Sequence, residues 1–405
     1  MTAPTPVTGL RRHPYRILFP LGWLMAWVGL VPWLLFAWGE NMAYPRDLHV
    51  MTMIQGVLSP FAVGFLFTML PRRLDSPAPT SWQMVLAVLV PPLHAVLTWQ
   101  HQIAAAHAVW AVLACVVLLF TASRIYGSNA NRRGPIAFAW VPLAWAFGLT
   151  GAILMAIATS QKPGEVGLIV LSTESIHLAW LFLTQAMFLC LVIGVGGLFL
   201  PLVCHKTSSV DADQVPNAKR QQRWHMLAAL VILFSFALQA MNWTSFELSL
   251  RAVAVAVRAV VAAAVLCAAG GILKPPSIEG TQRKLIWIAA WCIPLGLALI
   301  AAIPSRPQIG LHVFFISGVG LITLGVAMHV GLSHSSGQEL VFKPVWQVQL
   351  FGALIAVALG LRIVAEIDLI HRFDWLGAAA AAMLLALIPW GQLVLTRLVP
   401  LIGKP

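Results

Sequence analysis

Tyr15 to Trp38 reads YRILFPLGWLMAWVGLVPWLLFAW, an apolar run whose one charge, Arg16, lies in its first turn. A helix of this length covers about 36 Å, enough to cross a hydrocarbon core about 30 Å thick. Arg11 and Arg12 precede the run as in an export signal. The run is too long for one and has no small-residue cleavage site, so it reads as a first transmembrane helix that stays. Working outward, eleven further stretches satisfy the same criterion, near 50–70, 82–99, 105–123, 135–157, 176–203, 223–241, 248–274, 284–304, 310–333, 345–369 and 374–398. Every backbone amide in lipid needs an internal partner, and long runs without strand alternation supply it as helices. Pro91 and Pro92 predict a kink in the third stretch, or a partly re-entrant segment.

The composition agrees. Of 405 residues, 60% are hydrophobic and 9% charged, with a mean hydropathy of +0.87. A soluble domain carries about 25% charged residues. Soluble enzymes, secreted disulfide scaffolds and disordered regulators are excluded. The expected fold is an all-α polytopic membrane bundle of about twelve helices, a single integral membrane domain over 1–405. A polar cytoplasmic loop, 205–222, would join halves 1–204 and 223–405. The five cysteines form no C-x-x-C pair and read as small core residues.

The formal charge of +12 would suggest nucleic acid in a soluble protein. Here eighteen of the 25 Lys and Arg fall at the N-terminus, in every second loop and at the C-terminus, and five in the alternate loops. The positive-inside rule then places both termini in the cytoplasm and leaves no nucleic-acid partner. Membrane lipid is the expected surroundings.

Twelve histidines against thirteen acidic residues is the odd ratio that remains. His49, His94, His101, His107, His177, His312 and His371 fall at the outer level, and His13, His205, His225, His329 and His334 at the inner one. His312 and His329 share a helix but lie 17 residues, about 25 Å, apart, so they cannot serve one metal. Histidine is tolerated at membrane interfaces. Neutral imidazole is also a haem axial ligand and a good copper ligand. His49, His177 and His312 open separate spans and could converge. Met51 and Met53 follow His49; their thioethers suit copper or haem, or simply fill gaps. His49 and Met53 share a helical face, whereas Met51 points elsewhere.

Arg258 and Arg362 lie inside spans, where a charge is expensive. Glu366, four residues on, can neutralise Arg362. Arg258 has no local acid and would suit an anion such as a haem propionate, or could bond to helix carbonyls. There is no H-E-x-x-H, Walker A, G-x-S-x-G or C-x-x-C-H motif. Twelve spans and a polar central loop also suit a transporter of a metal or small solute.

Four ordered motifs carry a family resemblance. They are HPYR at 13–16, LHVMTMIQGVLSPFAVGFLFTMLP at 48–71, VGGLFLPL at 195–202, and LHVFFISGVGLITLGVAMHVGLSHSSG at 311–337, with Arg362 in LRIV. They resemble the NnrS family, bacterial twelve-span membrane proteins associated with nitric oxide stress and described as containing haem and copper. The second is similar to that family's H-A-H-E-M segment followed by G-F-L-L-T-A-x-P. Here Met51 and Thr52 occupy its second histidine and its acid, Leu198 the arginine of G-G-R, and His329 that of M-x-R. The resemblance implies a bacterial inner-membrane location and a haem b protein of denitrification or nitrosative-stress physiology. A diatomic ligand such as nitric oxide would bind at the haem, or redox chemistry occur there, and copper is a second implied cofactor. It supports His49, His312, His13 and His334 as ligands. His177 and His94 rest on depth alone. His329 remains a metal candidate by position, and Met51, Arg258 and Arg362 remain cofactor-binding candidates, the two arginines as propionate anchors.

Overall fold

The computed structural model describes residues 6–39, 43–127, 130–160, 171–205, 216–241, 247–335 and 337–398. Twelve helices are long and apolar enough to cross a membrane. They are α1 (Tyr15–Ala37), α2 (Arg46–Leu74), α3 (Ser81–Trp99), α4 (Ile103–Ile125), α5 (Ile136–Ser160) and α6 (Thr173–His205). Then come α7 (Ala218–Ala240), α8 (Leu250–Gly270), α9 (Thr281–Ala302), α10 (Pro307–Ser333), α11 (Trp346–Ile367) and α12 (Arg372–Leu398). No strand occurs among the described residues. Most of the polar central loop (206–215) lies outside them.

Local chemistry sets the ends. Thr80 and Gln83 form a capping box at the start of α3. The Ser172 hydroxyl accepts the Ser175 amide at the start of α6. Gly271 stops α8 in the left-handed region (φ 65°), four residues earlier than hydropathy suggests. The helix of α3 runs unbroken through Pro91 and Pro92. The expected re-entrant break is absent, because neighbouring helices let a membrane helix tolerate lost backbone bonds.

The contacts repeat with a period of four helices. Each of α2, α6 and α10 packs on the helix before it and on the two after it. The pairs α3–α4, α7–α8 and α11–α12 form hairpins, while α4–α5, α8–α9 and α12–α1 close a ring. Nine helices therefore surround three. Trp23 donates to the Leu387 carbonyl, at 2.9 Å, where the last helix meets the first. Glycine permits a close approach between α9 and α10: a methyl group at Gly296 would sit 2.6 Å from the Phe314 nitrogen.

The three central helices share a second feature. Each begins with ordinary α turns and then widens into π-type hydrogen bonding, at Thr52–Leu58, Phe182–Ala186 and Val313–Gly320. Such widenings are rare and concentrate at functional sites. Each follows a histidine of its own helix: His49, His177 and His312. Between α1, α2, α6 and α10 lies an apolar cavity of about 80 Å³, walled by Phe19, Phe61, Phe65, Phe199 and Val319 among others. Below, the bundle end where α1 starts is the terminal end and the other the distal end.

Candidate functional site

At the distal end, α2 and α10 each present a histidine within their first two turns. Pro45 precedes α2 and accepts the His49 amide at 2.8 Å. Pro307 opens α10, where its missing N–H costs nothing. The His49 ring binds the Gly29 carbonyl of α1 through Nδ1 at 2.9 Å. The His312 ring binds the Gln308 carbonyl through Nδ1 at 2.7 Å. A carbonyl can only accept, so each Nδ1 carries the proton and each Nε2 keeps its lone pair. This is the arrangement that orients a metal-ligating imidazole.

Arg362 of α11 joins them. Its Nε donates to His312 Nε2 at 3.1 Å, and its charge acts on both His49 and His312. Its Nη1 pairs with Glu366 at 2.5 Å, and Arg372 reaches the same carboxylate at 3.2 Å. Two guanidinium groups thus share one acid. Trp33 stands edge-on to His49, with centroids 5.9 Å apart, and Tyr44, Phe36 and Phe373 extend the aromatic wall. Beyond it, in the α11–α12 turn, Asp368 accepts from the Trp375 indole and from His371, which holds its carboxyl down at about 2.

The other sequence candidates lie elsewhere. His94 of α3 and His107 of α4 are completely buried, with ring centroids 6.2 Å apart. Arg258 is also completely buried, without a carboxylate. It donates to Ser235 (3.1 Å), Gln185 (3.4 Å) and Gln239 (2.8 Å), and its guanidinium lies 3.4 Å above the Phe236 ring. His177 lies near Arg251. Met51 is buried, whereas the Met53 sulfur packs on Gly29, the residue whose carbonyl holds His49.

At the terminal end His13 and His334 flank Tyr15, with centroids 5.9 and 6.3 Å from its ring. Arg72 donates to His13 Nδ1 at 3.0 Å. Burial, then the Arg72 and Arg16 charges, push both His13 and His334 below the ordinary histidine range. His329 meets Phe199 edge-on at 5.7 Å and feels the Arg283 charge. This end concentrates guanidinium groups around its imidazoles, which opposes a cation there.

The structure therefore brings His49, His312 and Arg362 together at the distal end and His13 and His334 around Tyr15 at the terminal end, and places His94, His177 and Arg258 in neither group. Sequence reading missed the pairing of His94 with His107. A signal was present: the two lie at similar distances on either side of the short turn at 100–102, so a hairpin brings them level. Gln55, in the widened turn of α2, was missed altogether; its amide lies 3.4 Å from His107 Nδ1. Among the described residues no three His, Cys, Asp or Glu side chains converge closely enough to hold a metal ion.

No curated protein matches the chain. Residues 9–400 match the family described as NnrS protein. With nearly its whole length covered, the chain belongs to the NnrS family.

Proposed function

We propose that this protein is a multi-pass membrane protein of nitric oxide or denitrification stress that binds haem b at the distal end of α2, α10 and α11. The observation that carries this reading is the pair of imidazoles at one arginine. Each is anchored through Nδ1 to a backbone carbonyl, which leaves Nε2 unprotonated; the Nε2 of His312 accepts from Arg362, which would have to yield it to an iron.

The residues present fit such a group. A haem needs one or two neutral imidazoles, an aromatic or aliphatic wall and cationic partners for its propionates. His49 would supply an imidazole nitrogen to the iron, or His312 once Arg362 releases it, and Trp33 and its aromatic neighbours would exclude water. Arg362 and Arg372 carry one positive charge more than Glu366 neutralises, which suits a bound anion. When bound, haem supplies an iron that takes a diatomic ligand or changes oxidation state. The chain's own part is to hold the rings. Hydrogen bonds to Gly29 and Gln308 fix ring rotation and make each imidazole a stronger donor. In the bacterial inner membrane with both termini in the cytoplasm, this end faces away from the cytoplasm.

The optical spectrum of the purified protein tests the reading. A Soret band that shifts on reduction and with nitric oxide is expected, and His49→Ala and His312→Ala should each lower haem occupancy. Unchanged spectra in both variants would overturn the site. A colourless preparation that exchanges a labelled solute would instead point to a transporter.

A further inference from the structure

The polar atoms of the His94–His107 pair are oddly provided for. Both ring nitrogens of His94, Nε2 of His107 and Oε1 of Gln55 are buried without a hydrogen-bond partner. Leaving such a group unpaired costs about 1–3 kcal/mol each, and native structures rarely leave several together. Three helices contribute: α2 through its widened turn, α3 and α4. All three side chains lie in the interior. An acceptor of imidazole lone pairs would engage one nitrogen of each ring.

We propose that His94 and His107 form a buried two-coordinate site for a soft monovalent metal ion, Cu(I), separate from the His49–His312 cluster. Geometry is the first argument. Two imidazoles on one ion, with bonds of about 2.0 Å and a ring radius of about 1.2 Å, stand about 6.4 Å apart when collinear and about 5 Å apart at a tetrahedral angle. The observed centroid separation of 6.2 Å, between rings set edge to face, is of the length the near-linear case needs. Linear coordination by two neutral donors is a preference of closed-shell monovalent ions, not of Zn(II), which takes four ligands.

Charge is the second argument. The pair and Gln55 are neutral donors, and no three metal-binding side chains meet there among the described residues. A divalent ion would bring two uncompensated charges into the interior, and a monovalent one brings one. Imidazole suits copper among the metals that would accept this donor set.

Gln55 completes the arrangement as a positioning residue. Its amide nitrogen stands 3.4 Å from His107 Nδ1; with the amide flipped, its oxygen would accept that N–H and leave Nε2 of His107 as the ligand, the orientation that Gly29 and Gln308 impose at the other pair. His94 needs no such help, since either nitrogen faces no competing partner.

Purified full-length protein, titrated with Cu(I) under anaerobic conditions against a competing chelator, tests the proposal. One Cu(I) per chain is expected, with an X-ray absorption spectrum showing two nitrogen neighbours at about 2 Å. Gln55→Leu should weaken Cu(I) by about 10–100-fold, and His94→Gln or His107→Gln by more. His101→Gln, in the exposed turn between the two helices, should change nothing. Absence of Cu(I) uptake by the wild type would overturn the proposal, leaving a bridging water as the occupant. So would three or four ligands in the absorption spectrum, or equal affinity in the double variant His94→Gln/His107→Gln. The absorption measurement needs no variant, so poor folding of the histidine variants leaves the test intact. The Soret band read in the same samples separates failure here from failure of the haem site.

Discussion

Glu366 is the residue on which the distal cluster turns, because it is the acid shared by Arg362 and Arg372. Breaking a buried ion pair by removing one partner costs about 3–5 kcal/mol, since the other charge is left unpaired. Glu366→Gln should therefore lower thermal stability markedly, whereas Arg362→Gln should lower haem occupancy more than stability. Differential melting and absorbance on the same preparations separate the two. Arg258 presents the opposite case: its guanidinium is satisfied by neutral oxygens and the Phe236 face. Arg258→Leu should cost stability through three orphaned acceptors. Haem content of that variant reports whether the charge also steadies an anion.

The terminal-end histidines make a pH prediction. His13 and His334 are held below the ordinary histidine range by burial and by Arg72 and Arg16. A histidine whose folded pKa is depressed favours the folded state fully above its unfolded value, about 6.5, and loses that contribution as pH falls toward the folded pKa. Thermal stability should decline as pH drops below about 6.5. The double variant His13→Gln/His334→Gln should flatten part of that decline. An unchanged slope would remove these two residues from the account. At this scale the sequence showed which residue types were costly in lipid, but not their partners. His49 and Gly29 are 20 residues apart, His312 and Arg362 50, and contact at such separation depends on how the helices pack.

Among the elements, the helices were legible almost completely. Apolar runs of spanning length have one backbone solution in lipid. Their ends were less legible where polar residues continue a helix past the apolar run, as Ala218–Gln222 do at the start of α7. The widened turns of α2, α6 and α10 were not legible at all, because hydropathy does not register how the hydrogen bonds are spaced. The close crossing of α9 and α10 is another element-level feature. Gly296→Ala should force the helices apart and destabilise the bundle by about 1–3 kcal/mol, seen as a lower melting temperature. Gly360→Ala on α11, with open space around it, serves as the control and should be neutral or slightly stabilising.

On the scale of the whole molecule, nine helices ring three, and the contacts repeat every four. The stretches GFLFTMLP (64–71) and VGGLFLPL (195–202), alike in rhythm, end α2 and α6, four helices apart. Their Phe65 and Phe199 rings meet edge-on at 5.5 Å. The basic loops predict the orientation of this bundle. Single cysteines replacing Arg73 or Lys343, in a background without the native cysteines, should react only with reagents that reach the cytoplasm. Cysteines replacing Arg306 or His371 should react from the opposite side. Reversed labelling would invert the assignment of the distal cluster.

By itself, the sequence determined that this chain has about twelve stretches able to cross a membrane, that its basic residues favour every second loop, and that its ordered motifs are those of the NnrS family. Those features are local: span length, loop charge and short motifs survive whatever the helices do to one another. Only the tertiary structure decided which histidines meet. It joined His49 to His312 through Arg362, and His94 to His107 beside Gln55. It gave Arg258 a set of neutral partners instead of an acid. The physical reason is that side-chain depth can be read from position along a helix, whereas rotation and neighbourhood come from packing between helices distant in the chain.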